Sequence, residues 1–176
     1  MNRSIVIRPA TVADAAAVSV FAAQAFVDAF GAQNDPAHLA DHLRTAYSAE
    51  RQAAEMTAPG ACFLLALDGE RIAGFCFFEQ GRSIPLVTGP FPCEVRRFYV
   101  GQEWQGQGIA QALMAAQIAE ARRGGARTLW LTTWEFAARA RSFYARCGFV
   151  DVGTTIFMVG NDPQTDRVLV LDLDRA

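Results

Sequence analysis

Apolar and polar positions change rhythm along the chain, and each change marks an element. Residues 4–8 (SIVIR) alternate with a period of two and predict a first strand ending at Pro9. Thr11 and Asp14 then stand three residues apart, ahead of helical spacing at Val18, Phe21, Ala22 and Ala25. This is the layout of a capping box opening a helix over TVADAAAVSVFAAQAF. Asn34-Asp35-Pro36 predicts a second helix with Asp35 as cap and Pro36 in its first turn. It continues over 37–47 and again over 49–56, until Pro59-Gly60 breaks it.

Residues 61–67 and 72–79 are apolar runs on either side of Asp68-Gly69 and predict a hairpin. Residues 81–92 read as a loop and 93–100 (CEVRRFYV) as a strand. A loop with two glycines leads into a helix that runs to about Arg123 and stops at Gly124-Gly125. A strand over 127–134, a helix over 136–147 closed by Gly148, and a strand from Phe149 follow. Asn161-Asp162-Pro163 turns the chain into a last strand over 168–173. The order β-α-α-β-β-β-α-β-α-β-β predicts a single α/β domain, residues 1–176, built on a mixed sheet.

Composition narrows what such a domain does. Hydrophobic residues make up 52% of the chain and charged ones 19%, enough for a sizeable core. A net charge of −2 argues against nucleic acid as the main ligand. The apolar runs read as too short to cross a bilayer, and the start, MNRSIVIRPAT, shows no signal-peptide core or cleavage site. A cytoplasmic location with no membrane partner is the expectation. Cys62, Cys76, Cys93 and Cys147 are scattered and read as buried free thiols. All 16 basic residues counted as Lys+Arg are arginines, which excludes a Walker phosphate loop and lysine Schiff-base chemistry. His38 and His42 share a helix face without a third ligand in the pattern, so no metal site is expected.

The candidate chemistry lies in WQGQGIAQAL, residues 104–113. Ile109, Ala110, Leu113, Met114, Ile118 and Ala121 form a broad apolar face, so this helix packs on the sheet. Its N-terminus offers main-chain N–H groups with no helical partner and the positive end of the peptide dipoles. Gly106 and Gly108 let an anion reach those groups without a Cβ in the way, and Gln105 and Gln107 add neutral donors. A dinucleotide fingerprint would need a third glycine where Gln111 stands. On the loop alone, an ordinary strand-to-helix turn stays open beside a phosphate site.

The longer stretch CEVRRFYVGQEWQGQGIAQAL resembles the acetyl-CoA-binding motif of the GCN5-related N-acetyltransferases, a strand followed by Q/R-x-x-G-x-G/A and a helix. Gln105, Gly108 and Ala110 fill its defined positions. FAARARSFYARCGF resembles the second half of that signature through Ala140, Phe143, Tyr144, Gly148 and Phe149. LWLTTWEFAARARSFYARCGF and FMVGNDPQTDRVLVLDL look like the branch holding bacterial spermidine/spermine acetyltransferases, with Trp134-Glu135 and Gln164-Thr165-Asp166 in the matching places. Where that branch commonly carries an Asn that helps to hold the pantetheine arm, this chain has Ala137.

The resemblance implies a central twisted mixed sheet of six to seven strands flanked by helices, with two parallel strands splayed beside the cofactor. It implies acetyl transfer from acetyl-CoA to a primary amine, such as a polyamine or other small amine, in a ternary complex. The cofactor would meet Phe98, Tyr99 and Val100 along the splayed strand, residues 105–110 (Gln105, Gly106, Gln107, Gly108, Ile109 and Ala110) at the helix mouth, and Tyr144. Tyr144 is the candidate acid for the leaving thiolate, since a phenol near pKa 10 can donate to a thiol near 8.5. Glu94 is the first candidate base; Glu94 and Glu135, with the aromatic Phe26 and Phe30, are candidates for the acceptor side, and Asp28 is a further one for a distal ammonium. Relatives often pair, so a homodimer through the last strands is an expectation. A non-catalytic acyl-CoA-binding module and a protein or peptide N-acetyltransferase remain as alternatives. Acceptor identity falls to the first two helices and the 81–92 loop, which carry no readable motif.

Overall fold

The computed structural model describes residues 4–175. Strands β1 (Ile5–Pro9), β2 (Ala61–Asp68), β3 (Arg71–Gln80), β4 (Pro92–Val100), β5 (Thr128–Trp134), β6 (Val150–Val159) and β7 (Asp162–Asp172) join in one sheet of order β1-β2-β3-β4-β5-β7-β6. Every neighbouring pair is antiparallel except β4 and β5. That parallel pair needs a crossover, which α4 (Ile109–Arg123) supplies.

Helices cover both faces. On one, α4 and α5 (Ala138–Arg146) pack through Ile109, Leu113, Met114 and Tyr144 against Cys76, Val95, Leu129 and Leu131. On the other, α1 (Ala15–Phe30), α2 (Pro36–Ala46) and α3 (Ala49–Met56) cover Phe63, Leu65, Phe75 and Phe77 through Val18, Ala22, Phe26 and Tyr47. Strands buried on both faces explain the near-continuous apolar runs of β2 and β3.

Local signals set most boundaries. Thr11 and Asp14 form the capping box, with the Thr11 N–H donating to Asp14 Oδ2 at 2.8 Å over a 3₁₀ turn that precedes α1. Asp35 caps α2 by accepting from the Ala37 N–H at 2.8 Å, with Pro36 at the first position. Ser48 caps α3 as a separate helix, its Oγ accepting from the Arg51 N–H at 3.1 Å.

Four expectations need correction. The hairpin turns on Gly69-Glu70, because Asp68 is already paired with Arg71. Strand β7 starts at Asp162, six residues before Val168, because it forms a long hairpin with β6 that opens on Val159↔Asp162. Helix α5 starts at Ala138, not at 136; Phe136 lies before it, 69% exposed and edge-on to Trp134. Finally, α1 and its flanking 3₁₀ turns make one apolar helix over Val12–Gln33, 22 residues, which by length and composition alone could cross a bilayer. Its inner face, with Val18, Ala22 and Phe26 buried, lies on the sheet.

The parallel strands part midway. Pairing of β4 with β5 runs from Pro92↔Thr128 to Val95↔Leu131 and stops there. At the same point the β3–β4 register shifts from Phe78↔Val95 to Phe77↔Arg97, a bulge that bends β4 away from β5. The β5-facing edge of residues 96–100 is thereby turned toward a gap.

Candidate functional site

A continuous cleft of about 1510 Å³ runs through this gap, from the start of α4 on one side of the sheet to the ends of α1 and α2 on the other. At its first end, Gly106 and Gly108 hold the chain at φ of +77° and +81°, and space is open where a Cβ would stand at either. Gly108 is the N-cap of α4, and no side chain caps it. The first helical hydrogen bond is from the Ala112 N–H to the Gly108 carbonyl at 3.0 Å, so the preceding N–H groups of the first turn have no helical acceptor. Glycine is required here because a side chain at this φ is strained and would crowd those donors.

The 3₁₀ turn before the mouth (Gln102–Trp104) is anchored from behind. Trp104 is buried, donates from Nε1 to Asp68 Oδ2 at 3.0 Å, and lies under the Arg71 guanidinium. Gln105 and Gln107 turn out to be braces. Gln105 Nε2 donates to the Val100 carbonyl at 3.1 Å, while its Oε1 accepts from Arg139 Nη1 at 2.7 Å, tying β4 to α5 across the mouth. Gln107 Nε2 donates back to the Glu103 carbonyl at 2.7 Å, and Gln107 is not among the cleft-lining residues. Ile109 sends its side chain into the core, so it presents only its main chain. Gly106, Gly108, Ala110, Phe98, Tyr99 and Val100 line the cleft.

Tyr144 lies beside the splay, 8% exposed and packed edge-on against Phe98, Phe143 and Phe149 at ring distances of 6.2, 5.4 and 5.6 Å. It lines the cleft, and no group among the described residues bonds its hydroxyl. Burial pushes the phenol well above its ordinary range, with Cys147 and Cys76 adding to the shift. The thiols are similarly quenched: burial raises Cys62 to about 11 and Cys93 to about 12, and lifts Cys76 and Cys147 as well. None is a thiolate nucleophile at neutral pH.

The remaining candidates divide. Phe26 and Phe30 line the far end of the cleft with their rings 4.9 Å apart, and Phe30 meets the Trp134 ring edge-on at 6.4 Å. Glu94 also lines it, but its Oε2 accepts from Arg82 Nε at 2.6 Å and faces Arg96 Nε at 3.6 Å. Glu135 is not a lining residue; its main chain pairs with Thr165 and Arg141. Asp28 is on the lining and accepts from Gln24 Nε2 at 2.7 Å. The two histidines separate: His38 Nδ1 accepts from the Asn161 N–H at 3.1 Å, whereas His42 stacks against Phe26 at 4.7 Å. Among the described residues no three His, Cys, Asp or Glu side chains converge on a metal position.

Three features escaped sequence reasoning. Asp166 lines the cleft while 6% exposed. Arg97 is buried against Glu55 and the Ala46 carbonyl at the α1–α2 end of the cleft. Tyr47 and Tyr99 share a hydrogen bond between hydroxyls at 3.2 Å. Only the Gln-Thr-Asp in the tail hinted at the first of them.

Ala137 is the N-cap of α5, lines the cleft, and gives that helix no side-chain cap. Replacing Ala by Asn at an N-cap is worth about 1 kcal/mol. The Ala137→Asn variant is therefore expected to melt about 2–4 °C higher in a thermal denaturation scan; an unchanged or lower Tm would show that the end of α5 needs no cap.

Comparison with known proteins gives a consistent result. The profile described as the Acetyltransferase (GNAT) family matches residues 24–149. An uncharacterized N-acetyltransferase of Mycobacterium tuberculosis is 31% identical over 160 residues, spanning 91% of this chain and 98% of the relative. Another, from Lactobacillus delbrueckii subsp. lactis, is 29% identical over 147 residues, 83% of this chain and 84% of the relative. Among solved structures, the PaiA N-acetyltransferase of Thermoplasma acidophilum in complex with coenzyme A superposes with a TM-score of 0.76 at 17% identity, covering 96% and 99% of the two chains. YncA of Salmonella typhimurium, solved with its cofactor acetyl-CoA, gives 0.75 at 22% identity, covering 97% and 95%.

Proposed function

The chain belongs to the GNAT family of acetyltransferases, and from that premise we propose that it is a single-domain cytoplasmic enzyme that moves an acetyl group from acetyl-CoA to a small primary amine. One observation carries this reading: the uncapped mouth of α4 and Tyr144, whose hydroxyl has no partner among the described residues, line the same cleft beside the β4–β5 gap. The four free cysteines suit a reducing compartment. Outward apolar residues on edge strand β6, Val150, Val152, Ile156 and Met158, suit pairing with a second copy.

The residues present fit the cofactor. Open space at Gly106 and Gly108, bare N–H groups and the helix dipole suit a diphosphate, with Arg139 beside the mouth. Acetyl-CoA supplies the activated acyl group. The chain's part is to hold, orient and exchange protons. The unpaired edge of residues 96–100 offers main-chain groups to the pantetheine arm and an N–H to the carbonyl oxygen, where one donor is worth about 2.7–4 kcal/mol. Tyr144, on the cleft lining, would serve the thioester sulfur. Because burial widens the gap between phenol and thiol acidity, the hydroxyl serves better as a hydrogen-bond donor to developing charge than by releasing its proton outright. The quenched thiols favour direct attack of the amine over a cysteine-bound acyl group. Glu94 stands on the acceptor side as a carboxylate held in place by Arg82, and Phe26 and Phe30 wall that side.

The test is thiol release from acetyl-CoA across a panel of monoamines, polyamines and short peptides. Release with a small amine well above the hydrolysis background is expected. Cofactor binding without release on any member of the panel would make the protein a binding module, and release on peptides alone would make it a protein acetyltransferase.

A further inference from the structure

The acceptor end of the cleft holds one acid unlike the others. Its lining carboxylates are Asp28, Glu94 and Asp166. Glu94 is neutralised by Arg82, and Asp28 lies at the exposed rim against Gln24. Asp166 is buried and, among the described residues, has no cation partner. It projects from β7 on the same face as its cross-strand neighbours Trp134 and Thr155, and Thr132 is its side-chain hydrogen-bond partner. Burial, with the Glu135 charge nearby, pushes its carboxyl up to about 6, so at neutral pH it is ionised at a cost. A buried anion without a counter-ion is what a cationic ligand would complete.

The walls describe the rest of that ligand. Phe30 meets Trp134 at 6.4 Å, and His42 bridges Phe26 at 4.7 Å and Phe157 at 5.8 Å. His42 is held below its ordinary pKa by burial and by the Arg97 charge, so the wall is neutral and aromatic at pH 7. Aromatic faces favour an ammonium and an apolar body together. A polycation is poorly served here, because Arg51 and Arg97 line the same end and, among the described residues, one buried acid on the lining is left to receive charge.

Resting on the transferase reading above, we propose that Asp166 receives the acceptor's ammonium group and that the acceptor is a primary amine with a single positive charge and an apolar or aromatic body. Because that single ammonium is also the reacting nitrogen, Asp166 is then a specificity residue whose carboxylate takes up the ammonium's proton, leaving the neutral amine to attack.

Calorimetric titration of phenethylamine and spermidine into the CoA-saturated protein, and into its Asp166→Asn form, tests this. Phenethylamine should bind at least about tenfold more tightly than spermidine (1.4 kcal/mol per tenfold). The Asp166→Asn variant should lose that binding by about thirtyfold or more, keep its affinity for CoA, and melt about 2 °C or more above the parent. A residue present for structure alone would lower the Tm when replaced, and that result overturns the assignment. So does spermidine binding more tightly than phenethylamine, phenethylamine failing to bind, or unchanged amine affinity in the variant. Thiol release separates the two levels of failure: transfer preferring spermidine overturns only this specificity, whereas no transfer to any amine overturns the transferase reading itself.

Discussion

The Tyr144→Phe variant is expected to lose about 100- to 1,000-fold in kcat while binding CoA as tightly as the parent. General acid or hydrogen-bond assistance at a leaving group contributes about 10²–10⁴-fold. The lower half of that range fits a phenol that burial has made a weaker acid. The substitution is unusually clean. The ring keeps its packing against Phe98, Phe143 and Phe149, and the hydroxyl leaves no orphaned partner because nothing among the described residues bonds it. Tm should therefore stay within about 2 °C of the parent. The same burial sets the pH behaviour: the neutral phenol persists above its ordinary pKa of 10, so no Tyr144-linked fall in kcat is expected up to pH 9. Steady-state thiol release with calorimetry of CoA binding checks both halves. A kcat within threefold of the parent would remove Tyr144 from the chemistry.

The second large effect belongs to Gly108. At φ +81° a β-branched residue is strained, and its side chain would crowd the first-turn N–H groups of α4 that are proposed to meet the diphosphate. The Gly108→Val variant should bind CoA at least about 100-fold more weakly, about 2.7 kcal/mol. Backbone strain of about 1–2 kcal/mol should lower its Tm by only a few degrees. Gly108→Ala should fall between, since the open space around this position accepts a methyl group and only the strain and partial crowding remain. Retained CoA affinity in the folded Val variant would mean that the mouth of α4 does not grip the cofactor.

What the sequence made legible is what short-range chemistry controls. The Thr11–Asp14 box, the Asp35 and Pro36 start, the hairpin near Gly69 and the apolar face of α4 all follow from residues within one or two turns of each other. Limits that depend on distant partners are not set by such local signals. Pro163 looks like a barrier to a strand, yet it sits in β7 opposite Met158, before β5 joins on the other side at Trp134↔Asp166, where no second ladder needs its missing N–H.

The same division holds in the site. Gly106 and Gly108 announce a bare helix mouth locally, but the roles of Gln105 and Gln107 depend on Arg139, Val100 and Glu103, and only folding shows them as braces. Glu94 and Asp166 are indistinguishable as letters. Arg82 comes from the 81–91 loop to neutralise one, while Trp134 and Thr155 bury the other. Charge state in a cleft is a property of the assembled sheet, so a list of acidic residues could not rank them.

Main-chain donors at the start of α4 are the groups proposed to hold the cofactor's diphosphate. Amide resonances of residues 106–110, followed by nuclear magnetic resonance during titration with CoA and then with pantetheine, which lacks the diphosphate, test that contact directly. Downfield displacement of these amide protons with CoA and none with pantetheine is the predicted result. Equal displacement by both, or amides that stay in place when CoA binds, would contradict it.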